Sequence, residues 1–289
     1  QEKGITPENA QDFMADFLPL FRTCPYLGSI FQFNSRDEFH HFLRMNMRRY
    51  EIFPSISEHL SEKYNFMQQR SWRYYIEIGD FYSKHGFIPH LCIGERELAW
   101  ARGFFAQQLP EGHFPVAVSM RQPNSPVFCE RNADPDVWLE FFDRCSREIP
   151  EITFVIVGVR EEILPEFRGR SNLKVAKDFG TSIMDDLALV RASMMYVGTT
   201  SGVNTVAWFS DLPYLIVQHP SLHHYALKDP HRWGFANERQ RMFGVSHVVT
   251  ADFLCSEFKS IYKSIDRSAW LKATIRHDKP KIAQVSEVI

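Results

Sequence analysis

The clearest signal along the chain is a series of short, continuously apolar runs in its second half, each followed by a polar turn. Pro115-Val116-Ala117-Val118-Ser119-Met120 is one, and it ends in Arg121. Thr153 to Gly158, Asn172 to Ala176, Met194 to Gly198, Pro213 to Val217 and Val245 to Val249 repeat the pattern. Runs this short and apolar on both faces predict strands buried on both sides, as in a parallel sheet. Between them lie stretches of helical spacing. Asp134-Pro135 predicts a helix start, an acidic cap followed by a proline suited to the first turn. Val137, Trp138, Phe141, Phe142, Cys145 and Ile149 then share one face, and Pro150 ends the segment. Arg160 to Phe167, Ser182 to Ser193, Ser201 to Ser210 and Ala251 to Ile265 also read as helical. In the helix from Ser182 to Ser193, Asp185 and Asp186 stand near the positive end. The order is β-α-β-α-β-α-β-α-β, a long loop, then β-α. With right-handed crossovers this predicts an α/β fold with a doubly wound parallel sheet, Rossmann-like.

The first hundred residues are less regular. Asp12 to Phe21, Arg36 to Arg49, Trp72 to His85 and Gly94 to Gln108 read as helices, and Gly28 to Asn34 as a strand. The pattern suits an incomplete second α/β domain. The expected organisation is therefore residues 1–112 as a partial N-terminal domain, 113–265 as the Rossmann-like domain, and 266–289 as a C-terminal tail. The polar start Gln1-Glu2-Lys3-Gly4, without a methionine, reads as a cut chain, so part of the active site is expected upstream.

Composition narrows the class of partner. The 289 residues are 44% hydrophobic with 25 Phe and 6 Trp, which excludes a disordered chain. A formal charge of -2 predicts no nucleic-acid partner. Five scattered cysteines, with no CxxC pair, read as reduced thiols of a cytoplasmic protein rather than a disulfide or zinc framework. No apolar run approaches the ~20 residues that span a bilayer. There is no signal-peptide pattern either. Arg36, Arg44, Arg48 and Arg49 form a solvated helix face or, alternatively, a peripheral contact with an anionic membrane surface.

In open parallel sheets a ligand sits at the carboxyl ends of the strands, where strand order reverses. The turn Gly198-Thr199-Thr200-Ser201-Gly202 stands at such an end. It reads either as a Ser/Thr cap with glycine for close packing, or as a phosphate cradle of amides and hydroxyls at a helix start. Arg121, directly after the first strand, reads as a solvated loop residue or as a bidentate phosphate ligand in the same crevice. The loop from Gln218 to Gly244 is long enough to be functional. Within it Trp233 or Phe235 is a candidate to stack a base and Glu238 to accept from ribose hydroxyls. Its histidines, His219 among them, read first as surface or packing residues, and no HExxH-like ligand pair points to metal. GxGxxG, GxxxxGK[ST] and GxSxG are all absent, which disfavours dinucleotide oxidoreductases, P-loop enzymes and α/β-hydrolases.

Val116 to Arg121, Val155 to Gly158, Gly198 to Gly202 with Asn204 to Trp208, and Leu212 to Val217 together resemble the C-terminal domain of GT-B glycosyltransferases. The heptosyltransferase-like and fucosyltransferase-like branches of polysaccharide biosynthesis look most similar. The heptosyltransferase pattern has an acid and a His at the turn, and Thr199 to Asn204 has neither. The fucosyltransferase pattern doubles the Arg, and here Gln122 follows Arg121. The resemblance implies an enzyme that moves a sugar from a nucleoside diphosphate donor to a glycan or lipid-linked acceptor. Arg121, Thr199, Thr200, Ser201 and Gly202 would hold the diphosphate, with no metal and no cofactor beyond the nucleotide-sugar substrate. An N-terminal acid or His would deprotonate the acceptor, with Asp12, Asp16, Asp37 and His40 as candidates. A sugar-nucleotide epimerase on the same fold and a non-catalytic glycan- or partner-binding module are the alternatives.

Overall fold

The computed structural model describes residues 18, 21, 23–25, 27, 29, 31, 33, 35–46, 73–88, 90–121, 131–219 and 235–275. The chain divides into two compact units, Gln1–Asp80 and Phe81–Ile289.

In the first unit, α1 (Arg36–Asn46) forms where expected, with Asp37 and Glu38 in its first turn and Arg44 in its last, matching the helix dipole. Leu43 is its buried residue. Phe31 and Phe33 pack their rings on Phe42, at 4.9 and 5.1 Å between centroids. The strand expected at Gly28 to Asn34 does not appear among the described residues of that range, Ser29, Phe31 and Phe33. Their alternating aromatics clothe a helix rather than join a sheet. Of the helix expected at Asp12 to Phe21, Leu18 and Phe21 are described, and both are helical. Asp12, Asp16, Arg48 and Arg49 lie outside the described residues. A further helix, α2, spans Arg73–His85.

The second unit is an all-parallel six-stranded sheet. Its strands are β1 (Phe114–Ser119), β2 (Ile152–Ile156), β3 (Leu173–Val175), β4 (Met195–Thr199), β5 (Tyr214–His219) and β6 (Gln240–Gly244). They lie in the order β3-β2-β1-β4-β5-β6. The order reverses between β1 and β4, which makes this the doubly wound Rossmann-like arrangement the apolar runs predicted.

Helices cover both faces. On one, α4 (Pro135–Glu148) and α7 (Ala251–Ser264) press Trp138, Phe141, Phe142, Leu254 and Phe258 onto Val116, Val118, Phe154 and Ile156. Burying aromatic and aliphatic side chains of this size contributes roughly 1.5–3 kcal/mol each, far more than any cap at the helix ends. The caps set the boundaries instead. The Asp134 carboxylate accepts from the Asp136 amide, and the Thr250 hydroxyl accepts from the Phe253 amide. On the other face α3 (Glu95–Gln108) packs its Leu98, Ala101, Phe104 and Phe105 side toward α5 (Ile183–Ala192). A reciprocal capping box between Ser182 and Asp185 starts α5. After α7, a further helix α8 (Arg267–Ile275) opens the segment expected to be a tail, with Trp270 against Phe114 at 5.8 Å.

Three elements of the second unit differ from expectation. Arg160 to Phe167 forms two short 3-10 turns, Arg160–Glu162 and Pro165–Phe167, because Pro165 lacks the amide a continuing helix needs. After β4 the expected ten-residue helix is a 3-10 turn, Gly202–Asn204, and a single helical turn, α6 (Thr205–Trp208). The last strand lies at Gln240–Gly244 rather than at Val245 to Val249. Gln240 is fully committed there: its side-chain amide donates to the carbonyls of Ser210 and Leu212, at 2.8 and 3.0 Å. Among the described residues, no helix is long and apolar enough to cross a membrane.

Candidate functional site

The site is built at the carboxyl edge of β1 and β4, where strand order reverses. Gly198 pairs with Ser119 across the two strands. A Cβ on Gly198 would collide with the Ser119 carbonyl oxygen and stand 2.6 Å from the Tyr196 hydroxyl, so only glycine allows this approach. Beyond it the strands are stitched by hydroxyls. Ser119 Oγ lies 2.5 Å from the Tyr196 hydroxyl and 2.7 Å from Ser201 Oγ. Burial pushes the Tyr196 phenol up to about 12, so it stays a neutral partner in this chain. Two residues after Ser119, the Arg121 amide donates to Thr199 Oγ1 at 2.8 Å.

Thr199, Thr200, Ser201, Gly202 and Arg121 are therefore brought together as expected. Their exposure is graded. Thr199 and Thr200 are buried, Ser201 and Arg121 half-buried, and Gly202 exposed. The Thr199 hydroxyl serves the Arg121 backbone and the Thr200 hydroxyl donates to the Gln218 carbonyl at 3.4 Å, so both are engaged within the fold. The turn after β4 also opens only a 3-10 turn and one helical turn, too short for the helix dipole that a phosphate cradle would use. Ser201 and Arg121 are half-buried and Gly202 is exposed, and the Ser201 hydroxyl is bonded to Ser119 Oγ.

The structure adds residues that sequence reasoning missed. Arg131, just ahead of α4, donates from Nη2 to the Thr200 carbonyl at 3.3 Å, which carries a second guanidinium to the same turn. It lies in a loop without periodic pattern, so nothing in the sequence singles it out. Glu162, in the 3-10 turn after β2, is half-buried. Burial pushes its carboxyl up from the ordinary value, while Arg121 and Arg131 pull it down. Gln218, at the end of β5, adopts φ 58°, a left-handed conformation uncommon outside glycine. It joins the neighbouring loops by donating from Nε2 to the Asn132 carbonyl at 2.7 Å. Strain of this kind collects at functional sites. His219 is buried against Trp208, at 5.4 Å between ring centroids. Burial, helped by Arg131, lowers its pKa to about 3 and keeps it neutral.

Asp186 stands in the first turn of α5, as expected, and is fully buried. It accepts from the Gly158 amide at 3.1 Å and from the Thr181 hydroxyl at 2.8 Å, and pairs with Lys177 at 2.9 Å. Burial pushes its carboxyl up against these partners. The group pins the end of β2, where Gly158 takes φ 123°.

The remaining predicted residues are placed elsewhere. Phe235 and Glu238 precede β6 and so stand at the amino edge of this parallel sheet, opposite the turn. Phe235 packs on Tyr82 and Phe209, and Glu238 is exposed, because the strand begins at Gln240 rather than beyond Gly244. Trp233 lies outside the described residues. Asp37 is exposed on α1, and His40 accepts from Arg36 Nε at 3.4 Å. A cavity of about 310 Å³ also opens at the amino edge, beside Arg191, Asp211, Arg239 and Trp270. Ligands of doubly wound sheets bind at the other edge, so this cavity is separate from the candidate site. Among the described residues no group of three His, Cys, Asp or Glu side chains is placed to hold a metal ion.

The strand order and the reversal-point cluster define a doubly wound α/β protein with its candidate site in the usual crevice. Comparison with known proteins adds one coarse likeness. No family profile matches the chain, and no curated protein is similar to it. Among solved structures it is similar to the glycosyl transferase family 9 protein from Veillonella parvula DSM 2008, with a TM-score of 0.39 and 14% identity. The match covers 62% of this chain and 47% of that one, so the chain spans about half the length of this neighbour.

Proposed function

We propose that the second unit binds the nucleoside diphosphate of an activated sugar, and that the chain belongs to a glycosyltransferase acting on a glycan or lipid-linked acceptor. The observation that carries this reading is the Arg121 amide bonded to Thr199 Oγ1. It fixes a guanidinium-bearing turn beside a Ser/Gly turn at the reversal point of a parallel sheet, where phosphates of nucleotides bind. The residue pattern that resembles GT-B enzymes falls on these same strand ends. A departing diphosphate needs positive charge and donors placed before the reaction, which Arg121, Arg131 and the Ser201-Gly202 turn supply without a metal. A peripheral membrane contact through α1 belongs to the lipid-linked form of the proposal.

A thermal-shift series with UDP, GDP, ADP, CDP and their sugars tests it. A ligand held only by the native state raises the apparent melting temperature by mass action. One nucleotide series raising it supports the reading, and no shift with any of them at millimolar concentration refutes it. A new epimer formed from a donor without acceptor would identify an epimerase instead.

A further inference from the structure

We propose that Tyr196 and Ser119 are positioning residues that turn the Ser201 hydroxyl proton outward, making Ser201 a fixed donor to a phosphate oxygen of the bound diphosphate. The inference rests on the nucleotide-binding reading above and extends it to two residues buried behind the turn.

Three hydroxyls form a line. The Tyr196 phenol lies 2.5 Å from Ser119 Oγ, which lies 2.7 Å from Ser201 Oγ. Tyr196 and Ser119 are buried, and Ser201 is half-buried at the turn after β4. The line therefore runs from the core toward the surface. Each hydroxyl carries one proton, and the line has two hydrogen bonds, so one proton is left over at one end. Left at the Tyr196 end, it would be buried without an acceptor. Among the described residues the phenol has no hydrogen bond beyond the one to Ser119, and it stands where a Cβ on Gly198 would meet it. A buried donor without an acceptor carries the full cost of its desolvation. The phenol does not escape by ionising, since burial pushes it up to about 12. At the Ser201 end the spare proton is open to water or a ligand. The line thus has one direction: Tyr196 donates to Ser119, Ser119 donates to Ser201, and Ser201 donates outward.

This direction prepares Ser201 for binding in two ways. Accepting from Ser119 restricts the rotation of the Ser201 hydroxyl among its staggered positions, so a ligand does not have to freeze it. Successive hydrogen bonds also polarise one another, which strengthens the last donor. On the nucleotide-binding reading, the acceptor it meets is an anionic phosphate oxygen.

Binding of inorganic pyrophosphate, and of UDP, GDP, ADP and CDP, is measured by calorimetry at pH 8, with melting temperatures as the folding control. Ser201→Ala is expected to weaken pyrophosphate about tenfold or more, as for a lost hydrogen bond to a charged group. Ser119→Ala alone strands the Tyr196 proton and should lower the melting temperature. In Ser119→Ala/Tyr196→Phe both buried hydroxyls are gone, and this protein is expected to melt near wild type. It should bind pyrophosphate several-fold more weakly. In a Ser201→Ala background the same pair should cost no further affinity, because the hydroxyl it directs is absent. Wild-type pyrophosphate affinity in either Ser201→Ala or Ser119→Ala/Tyr196→Phe overturns the inference. So does an equal further loss in the Ser201→Ala background, which is what a merely structural role would give. Pyrophosphate bound with the expected losses, but no nucleoside diphosphate bound, leaves the relay standing and removes the nucleotide reading. Binding of neither removes both.

Discussion

The backbone amide of Arg121 donates to the hydroxyl oxygen of Thr199, 2.8 Å away, and this bond makes the turns after β1 and β4 one structural piece. Thr199 is fully buried, so removing its oxygen leaves an amide without its acceptor. Thr199→Val is expected to lower unfolding free energy by about 1–3 kcal/mol, the desolvation cost of an unsatisfied donor. Thr199→Ser should retain most of it. Urea denaturation of the three proteins measures the difference.

On the proposed reading, Arg121 supplies charge to the diphosphate. Arg121→Ala is expected to weaken nucleotide binding by about 1.5–3 kcal/mol, as for hydrogen bonds to charged groups. Calorimetry that returns the wild-type affinity would remove Arg121 from the site.

Gly198 is set by space. Its missing Cβ leaves room for the Ser119 carbonyl and the Tyr196 hydroxyl. Gly198→Ala must push β1 and β4 apart, at the roughly 1–3 kcal/mol typical of overpacking. Because the same strands carry the site, both the urea midpoint and nucleotide affinity should fall together.

Asp186 anchors the end of β2 through Gly158, Thr181 and Lys177. Asp186→Ala breaks a buried pair, for which about 3–5 kcal/mol is usual. The lower end is expected, since Lys177 keeps its bond to the Thr181 carbonyl at 2.7 Å. The loss is read from the urea midpoint at pH 7.

His219 gives the fold a pH dependence of defined sign. Its folded-state pKa is lowered to about 3, below the unfolded value near 6.5. As pH falls, the unfolded chain takes up the proton first, so stability is lost from about pH 6.5 downward until the folded histidine also titrates. The loss attributable to this residue between pH 7 and pH 5 is about 2 kcal/mol. His219→Gln should flatten the stability profile by that amount, measured as the wild-type-minus-variant difference in urea at each pH. A difference independent of pH would show that His219 titrates alike in the folded and unfolded protein.

What the chain determined by itself is the layered α/β frame. Val116 to Val118, Phe154 to Ile156 and Tyr196 to Val197 are apolar on both faces, and burial between two helical layers is the arrangement that satisfies such strands. The turn from Thr199 to Gly202 and the position of Arg121 were legible for the same reason, since a strand end is marked where the apolar run stops. The tertiary structure alone decided the rest. Glu238 and Phe235 fell at the amino edge because β6 is selected by its pairing with β5, a contact between segments distant in sequence. Arg131 reached the turn after β4 through its hydrogen bond to the Thr200 carbonyl, a contact between residues 69 apart. Asp186 was buried because α5 packs its amino end over β2's exit. Periodicity records which face of an element is covered, whereas long-range pairing determines which elements meet.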